Sequence, residues 1–223
     1  MVAACLALAL NSSTDGLVSL KGWKYDARFW KVNDGVVIGE THPSFEDKDK
    51  SELTHNTFFV SPFKVKDFEL TCLYRITPLN KTGFANSGIQ YRSQMFGTGP
   101  EGPQVRGYQA DIDAQNQYTG SLYEEAGYRE TLSGQGQQVV WTTQGKQVVK
   151  TWPVKDVLNK TEDWTSMHVV AKGNRVDHYV SGKLVTSLED RHPKAGRAGI
   201  VAFQLHVGGP MRVEFREIRI RRF

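Results

Sequence analysis

Cysteine is almost missing. The chain has two in 223 residues, Cys5 and Cys72, and no CxxC pair. That excludes a disulfide framework and a cysteine zinc site. No run of 18 apolar residues occurs, so no segment reads as a transmembrane helix. The absence of any three- or seven-residue repeat excludes collagen and coiled coil. HExxH, GxSxG and the P-loop are also missing. So is E-x-D-x-x-E, which would set alternate acids on one strand face for retaining glycoside cleavage. Glu124 and Glu125 are adjacent, so a strand points them to opposite faces and they cannot form one acid/base pair.

Charge of one sign is not strongly in excess. The net charge is +4, and part of it comes from the tail residues Arg216, Arg219, Arg221 and Arg222. The remaining Lys and Arg are interspersed with Asp and Glu, so a solvated basic strand end is expected rather than a nucleic-acid surface.

Residues 2–10 (VAACLALAL) are apolar and lead into Asn11, Ser12, Ser13 and Thr14. The length suits a secretory h-region and is too short to span a bilayer. Ala7-Leu8-Ala9 has the pattern of a cleavage site. No positive stretch precedes it, and a buried first strand is the other reading. Residues 1–14 are expected to be a truncated signal segment and residues 15–223 one domain, exported to the periplasm or secreted.

Short strands separated by turns fill the rest, which argues an all-β sandwich. In residues 68–76 (FELTCLYRI), Phe68, Leu70, Cys72, Tyr74 and Ile76 share one face, the period-2 mark of a half-buried strand. Residues 167–188 read as a meander turning at Gly173-Asn174 and Ser181-Gly182. Residues 138–149 read as a hairpin turning at Gln144-Gly145. Residues 212–220 read as a closing strand with a bulge. Residues 154–159 are expected to form one helical turn. The GTGPEG segment, residues 97–102, matches a dinucleotide fingerprint only formally. It holds Pro100 and no helix pattern follows, so it reads as a flexible loop.

Four strands carry an unusual polar face. Gln90 and Arg92 alternate with Ile89 and Tyr91; Gln109, Asp111 and Asp113 alternate with Tyr108, Ala110 and Ile112. Gln204 and His206 alternate with Val201, Phe203 and Leu205. A strand over residues 118–125 (YTGSLYEE) would place Thr119, Ser121, Tyr123 and Glu125 together. Amides, carboxylates, guanidinium and hydroxyl groups make directed hydrogen bonds to sugar hydroxyls. If the four strands share a sheet, they line a polar groove. His206 ends an apolar strand beside the turn Val207-Gly208-Gly209-Pro210, a frequent place for a catalytic side chain. His42, His55, His168, His178 and His192 read as ordinary surface histidines. Trp23, Trp30 and Trp164 read as core. No cofactor motif is evident. The Asp111-x-Asp113 start is not followed by an EF-hand, although a looser divalent-metal site from Asp111, Asp113 and His206 is conceivable.

At this point the chain resembles the 3-keto-disaccharide hydrolase domain family. The stretches that carry the resemblance are GWKYDARFWKVNDGVVIGE (22–40), NTFFV (56–60), DFELTCLYRI (67–76), NSGIQYRS (86–93), GYQADID (107–113), YTGSLYEE (118–125), GNRVDHYVSGKLV (173–185) and GIVAFQLHVGGPMRVEFREIRI (199–220). The resemblance implies a concanavalin A-like jelly roll of two curved antiparallel sheets with a ligand groove. It also implies a glycoside or disaccharide substrate already oxidised at C3 by a partner sugar dehydrogenase. The family's Gly-Arg-Gly loop after Glu125 is replaced by Ala126-Gly127-Tyr128-Arg129-Glu130, with Arg129 as the substitute contact. A 3-keto group acidifies C2–H, so a base removes that proton, the C1 substituent leaves by elimination, and water adds back. His206 or Asp111 is expected as the base. Arg92, Gln109 or a bound metal would stabilise the enolate, and Glu125 or Tyr123 would assist the leaving oxygen. Substrate contacts are expected from Gln90, Arg92, Gln109, Asp113, Tyr123, Arg129 and Gln204. A non-catalytic carbohydrate-binding module is the competing expectation.

Overall fold

Alternation along the strands dictates two layers. In β4 (Phe68–Pro78), Phe68, Leu70, Cys72, Tyr74 and Ile76 are buried, while Glu69, Thr71 and Arg75 are partly exposed. The computed structural model describes residues 16–155, 158 and 162–223. The signal segment expected over residues 1–14 lies outside them, as do residues 156, 157 and 159 of the helical turn expected at residues 154–159.

Beside β4 lies β15 (Met211–Arg222), then β2 (Val36–Glu40) and the edge strand β1 (Trp30–Asn33). On the other side of β4 the sheet continues through β11 (Thr165–Lys172), β12 (Arg175–Val180) and β13 (Lys183–Asp190), the expected meander. It ends in the hairpin of β9 (Gln137–Thr142) and β10 (Gly145–Thr151), giving nine strands. The second sheet has six strands: β3 (Thr57–Val65), β14 (Gly199–Leu205), β5 (Asn86–Gly99), β6 (Gly102–Asp113), β7 (Leu122–Glu125) and β8 (Thr131–Ser133), in that order. The pairings are antiparallel except for β13 with β9, which is parallel. The bulge expected in the closing strand falls between Arg216 and Arg219, at Glu217 with φ 52°.

A continuous apolar core fills the space between the sheets. Phe68, Leu70 and Phe215 from the larger sheet and Ile89, Tyr108 and Phe203 from the smaller are fully buried. Each such side chain contributes about 1.5–3 kcal/mol of apolar burial. Trp23 and Trp30 are core, as expected. Trp164 is not, being half-buried with the guanidinium of Arg216 4.0 Å from its ring.

Residues 97–102 are not a flexible loop but the tip of the β5–β6 hairpin, with Gly99 paired to Gly102. Thr54 Oγ1 donates to Glu101 at 2.5 Å, and Thr57 Oγ1 donates to the Glu101 carbonyl, tying the tip to the β3 side of the sheet. A small apolar cluster of Phe58, Val60, Val105 and Ala202 is buried apart from the main core.

Candidate functional site

Beside the small apolar cluster, the side chains of β5, β6 and β7 that turn away from the core include a polar group: Gln90, Gln109, Asp111, Tyr123 and Glu125. Register explains why they meet: Gln90 pairs across from Gln109, and Gln109 across from Tyr123. A cavity of about 300 Å³ opens there, and Gln109, Asp111, Tyr123, Glu125 and His206 all line it. Five of the expected residues are thus brought together.

Beneath them runs a relay of hydrogen bonds. Ser93 Oγ donates to Gln90 Oε1 at 2.8 Å, Gln90 Nε2 to Gln109 Oε1 at 2.7 Å, and Gln109 Nε2 to Asp111 Oδ1 at 2.7 Å. Gln90 does not reach the cavity; it sets the amide that holds Asp111. Room for Gln109 comes from Gly88, where a Cβ would stand 2.5 Å from the Gln109 side chain. Gln204 likewise acts from below, its Nε2 donating to Glu125 Oε2 at 2.8 Å. Asn56 Nδ2 donates to the other oxygen at 3.0 Å, and Asn56 Oδ1 accepts from the Val207 amide at 2.9 Å.

Burial pushes the Asp111 carboxyl up to about 8, opposed by the Gln109 amide and assisted by the charges of Glu125 and Asp113. Burial also raises Glu125, against the Asn56 and Gln204 amides that favour its charged form. His206 moves the other way: burial lowers it, and its bond to the Val207 carbonyl only partly offsets this. At neutral pH Asp111 is therefore chiefly a carboxylic acid and His206 a neutral ring. The Val207 carbonyl takes its bond at Nδ1. A carbonyl can only accept, so Nδ1 carries the proton and Nε2 the lone pair. The ring is also packed edge-on against Phe84, with centroids 5.9 Å apart.

Three expected contacts are placed elsewhere. Arg92 sits at a bulge between Tyr91 and Gln94 with φ 49°, which breaks the alternation that would have set it beside Gln90. Its guanidinium donates to the Lys66 carbonyl at 2.7 Å, the Gly173 carbonyl at 2.9 Å and Asp67 at 3.0 Å. Asp113 turns its carboxylate onto the amides of Gln115, Gln117 and Tyr118, at 3.0, 2.8 and 3.3 Å. It organises the turn before β7, so residues 118–121 are turn rather than strand, and Thr119 bonds the Asp113 backbone. Arg129 is buried, paired with Glu124 at 2.5 Å and Asp190 at 2.8 Å, behind the sheet rather than in the cavity. With Asp113 occupied, the trio Asp111, Asp113 and His206 does not form a ligand set. Among the described residues no group of at least three His, Cys, Asp or Glu is arranged to hold a metal ion.

The residues that sequence reasoning missed are Asn56, Tyr118 and Thr131, which also line the cavity, as does Asn86, which the sequence offers either as a turn residue or as a backbone donor to a ligand. Asn86 opens β5, where a turn-forming role competes with a ligand-facing one. Asn56 stands at the head of a hydrophobic strand, and only its bond to Glu125 reveals its part.

Two stacked sheets, with acid, imidazole and amide groups gathered on the outer side of the smaller one, define a jelly-roll sandwich with a polar ligand cavity. The chain belongs to the 3-keto-alpha-glucoside-1,2-lyase-like domain family, whose model matches residues 10–221. That membership connects the domain to carbohydrate chemistry. Among solved structures it is similar to carbohydrate-binding module CBM66 from Bacillus subtilis, with 14% identity over 93% of this chain and 96% of that one and a TM-score of 0.53. It is also similar to a candidate glycosyl hydrolase from Parabacteroides distasonis ATCC 8503, with 16% identity over 90% and 93% of the two chains and a TM-score of 0.57. Such identities speak to the shared fold alone. No curated protein matches the chain.

Proposed function

We propose that this domain cleaves 3-keto-glucosides by elimination across C1–C2, followed by hydration. The observation that carries the reading is a lone-pair imidazole and a protonated carboxylic acid in one cavity. His206 Nε2 takes the C2 proton, which the C3 carbonyl acidifies, and the electron pair passes onto the carbonyl oxygen as an enolate. As the enolate collapses, C1=C2 forms, the C1–O bond breaks, and the leaving oxygen takes its proton from Asp111. The enone and the free aglycone result. In the return step water adds at C1, its proton goes to the Asp111 carboxylate, and His206 returns a proton to C2, giving the 3-keto sugar. Tyr123 and Asn86, which line the cavity and carry N–H or O–H donors, would stabilise the enolate oxygen. Glu125, fixed by two amides, accepts from a sugar hydroxyl.

The route needs no E-x-D-x-x-E acid pair, which agrees with the absence of that motif from the sequence. It does need a dehydrogenase upstream that oxidises a C3 hydroxyl. The apolar run at residues 2–10 supports an exported site of action.

The test is turnover of 3-keto-trehalose or 3-keto-lactose in deuterated water, with enzyme-free controls. Deuterium should enter C2 of the product sugar, and His206→Ala and Asp111→Asn should each lower kcat by about 10²-fold or more. Losses under threefold in both would remove these assignments. Binding of unoxidised glycans with no turnover of any 3-keto-glycoside would leave a binding module instead.

A further inference from the structure

Glu125 stands at a junction: it borders the cavity just described and a second one, of about 600 Å³. Gly107, Gly127 and Gly196 contribute backbone to the wall of the second cavity. Its walls hold two cations in an unusual condition. Lys194 Nζ lies 4.7 Å from the centre of the Tyr128 ring, and the Arg106 guanidinium lies 5.9 Å from that of Phe96. Ring contacts restrain a cationic side chain without using its N–H donors. Among the described residues neither cation has an ion pair, and neither side chain donates a hydrogen bond. The other charges on this cavity are engaged: Glu124 with Arg129, Glu125 with Asn56 and Gln204, and Arg92 with Lys66, Gly173 and Asp67. Arg106 and Lys194 are thus prepositioned, unspent donors facing open space.

We propose that this second cavity is the leaving-group subsite, and that it selects aglycones carrying an anionic oxyacid group, held by Arg106 and Lys194. This rests on the reading above, in which the keto sugar fills the first cavity. The glycosidic bond would then pass Glu125 into the second. A carboxylate, sulfate or phosphate on the aglycone would accept from both cations.

The experiment compares two 3-keto-glucosides of matched size, one of 4-hydroxybenzoate and one of 4-hydroxybenzamide. Wild-type kcat/KM should favour the benzoate by about tenfold, the worth of one partly screened charge-assisted hydrogen bond. The preference should shrink in high salt. In the Arg106→Gln/Lys194→Gln double variant the ratio should fall to about one; a ratio that stays at its wild-type value overturns the subsite. The unoxidised glucosides of the same two aglycones serve as calorimetric probes. If neither keto-glucoside turns over, a benzoate preference in binding that the double variant loses sustains the subsite and sinks the lyase reading. Equal binding of the two probes by wild-type protein sinks the subsite.

Discussion

Asp111 and His206 show how one cavity prepares an acid and a base from surroundings that are dry for both. Burial disfavours whichever form is charged, so it raises the carboxyl and lowers the imidazole. The Asp111 carboxyl rises to about 8 from an ordinary value of 3.8. Between those values the folded chain holds a proton that the unfolded chain has released, so stability falls as pH rises. The full penalty, reached above pH 8, is on the order of 5 kcal/mol. Asp111→Asn keeps the shape and removes the charge. It should therefore melt several degrees higher than wild type at pH 8 and at nearly the same temperature at pH 4. A variant that melts lower than wild type at pH 8 would show that Asp111 is ionised there without strain. His206, Asp111, Glu125, Gln109 and Tyr123 were legible from alternation and family resemblance together. Asn56 was not, because an asparagine ahead of a hydrophobic strand carries no periodic signal.

Among strands and turns, the sandwich was legible wherever alternation ran unbroken, as in β4 and the β11–β13 meander. It failed where the chain departs from a pleat. Arg92 was assigned to the groove by counting twos from Gln90, and a single left-handed residue at 92 defeats the count. Asp113 was read as a strand residue facing ligand, although a strand-end aspartate also serves as an acceptor for turn amides. Arg129 was placed by analogy with a loop whose two flanking glycines are absent here. The Arg92 guanidinium instead joins the β4 entry at Asp67 to the β11–β12 turn at Gly173. Arg92→Gln removes the buried guanidinium's bonds to these acceptors, leaving the Asp67 carboxylate with the Gly173 amide and the Gly173 carbonyl with Arg197 at 3.4 Å, and should cost about 2–4 kcal/mol in denaturant unfolding. If Arg92 only braces these turns, KM for the benzamide keto-glucoside stays within threefold of wild type. A tenfold rise in KM at unchanged stability would return Arg92 to the binding surface.

Across the whole molecule the two sheets are joined by buried polar ties as well as by apolar packing. Tyr108 donates its hydroxyl to Asp190, which Arg129 also pairs. Tyr91 bonds His178 Nε2 at 2.6 Å, and His178 Nδ1 bonds the Gly120 carbonyl at 3.0 Å. His178 was read as a surface histidine. It shares a strand face with Val176 and Val180, and that face is core. The Tyr91 hydroxyl, a partner from the other sheet, is what makes its burial tolerable, and nothing in the sequence marks the two as neighbours. Burial drives His178 down to about 4. Between pH 6.5 and 4 the unfolded chain thus binds the extra proton, and stability falls as the solution becomes more acidic, by about 1.4 kcal/mol per pH unit. Asp111 acts over the same window with opposite sign, since acid favours its folded, protonated form. The two effects nearly cancel in wild type, so separating them requires variants. Denaturant unfolding at pH 5 and 6.5 should show Asp111→Asn losing stability towards acid more steeply than wild type. His178→Gln should lose it less steeply, or gain, whatever its absolute stability. Parallel curves for all three proteins would mean that neither buried group changes its protonation on unfolding.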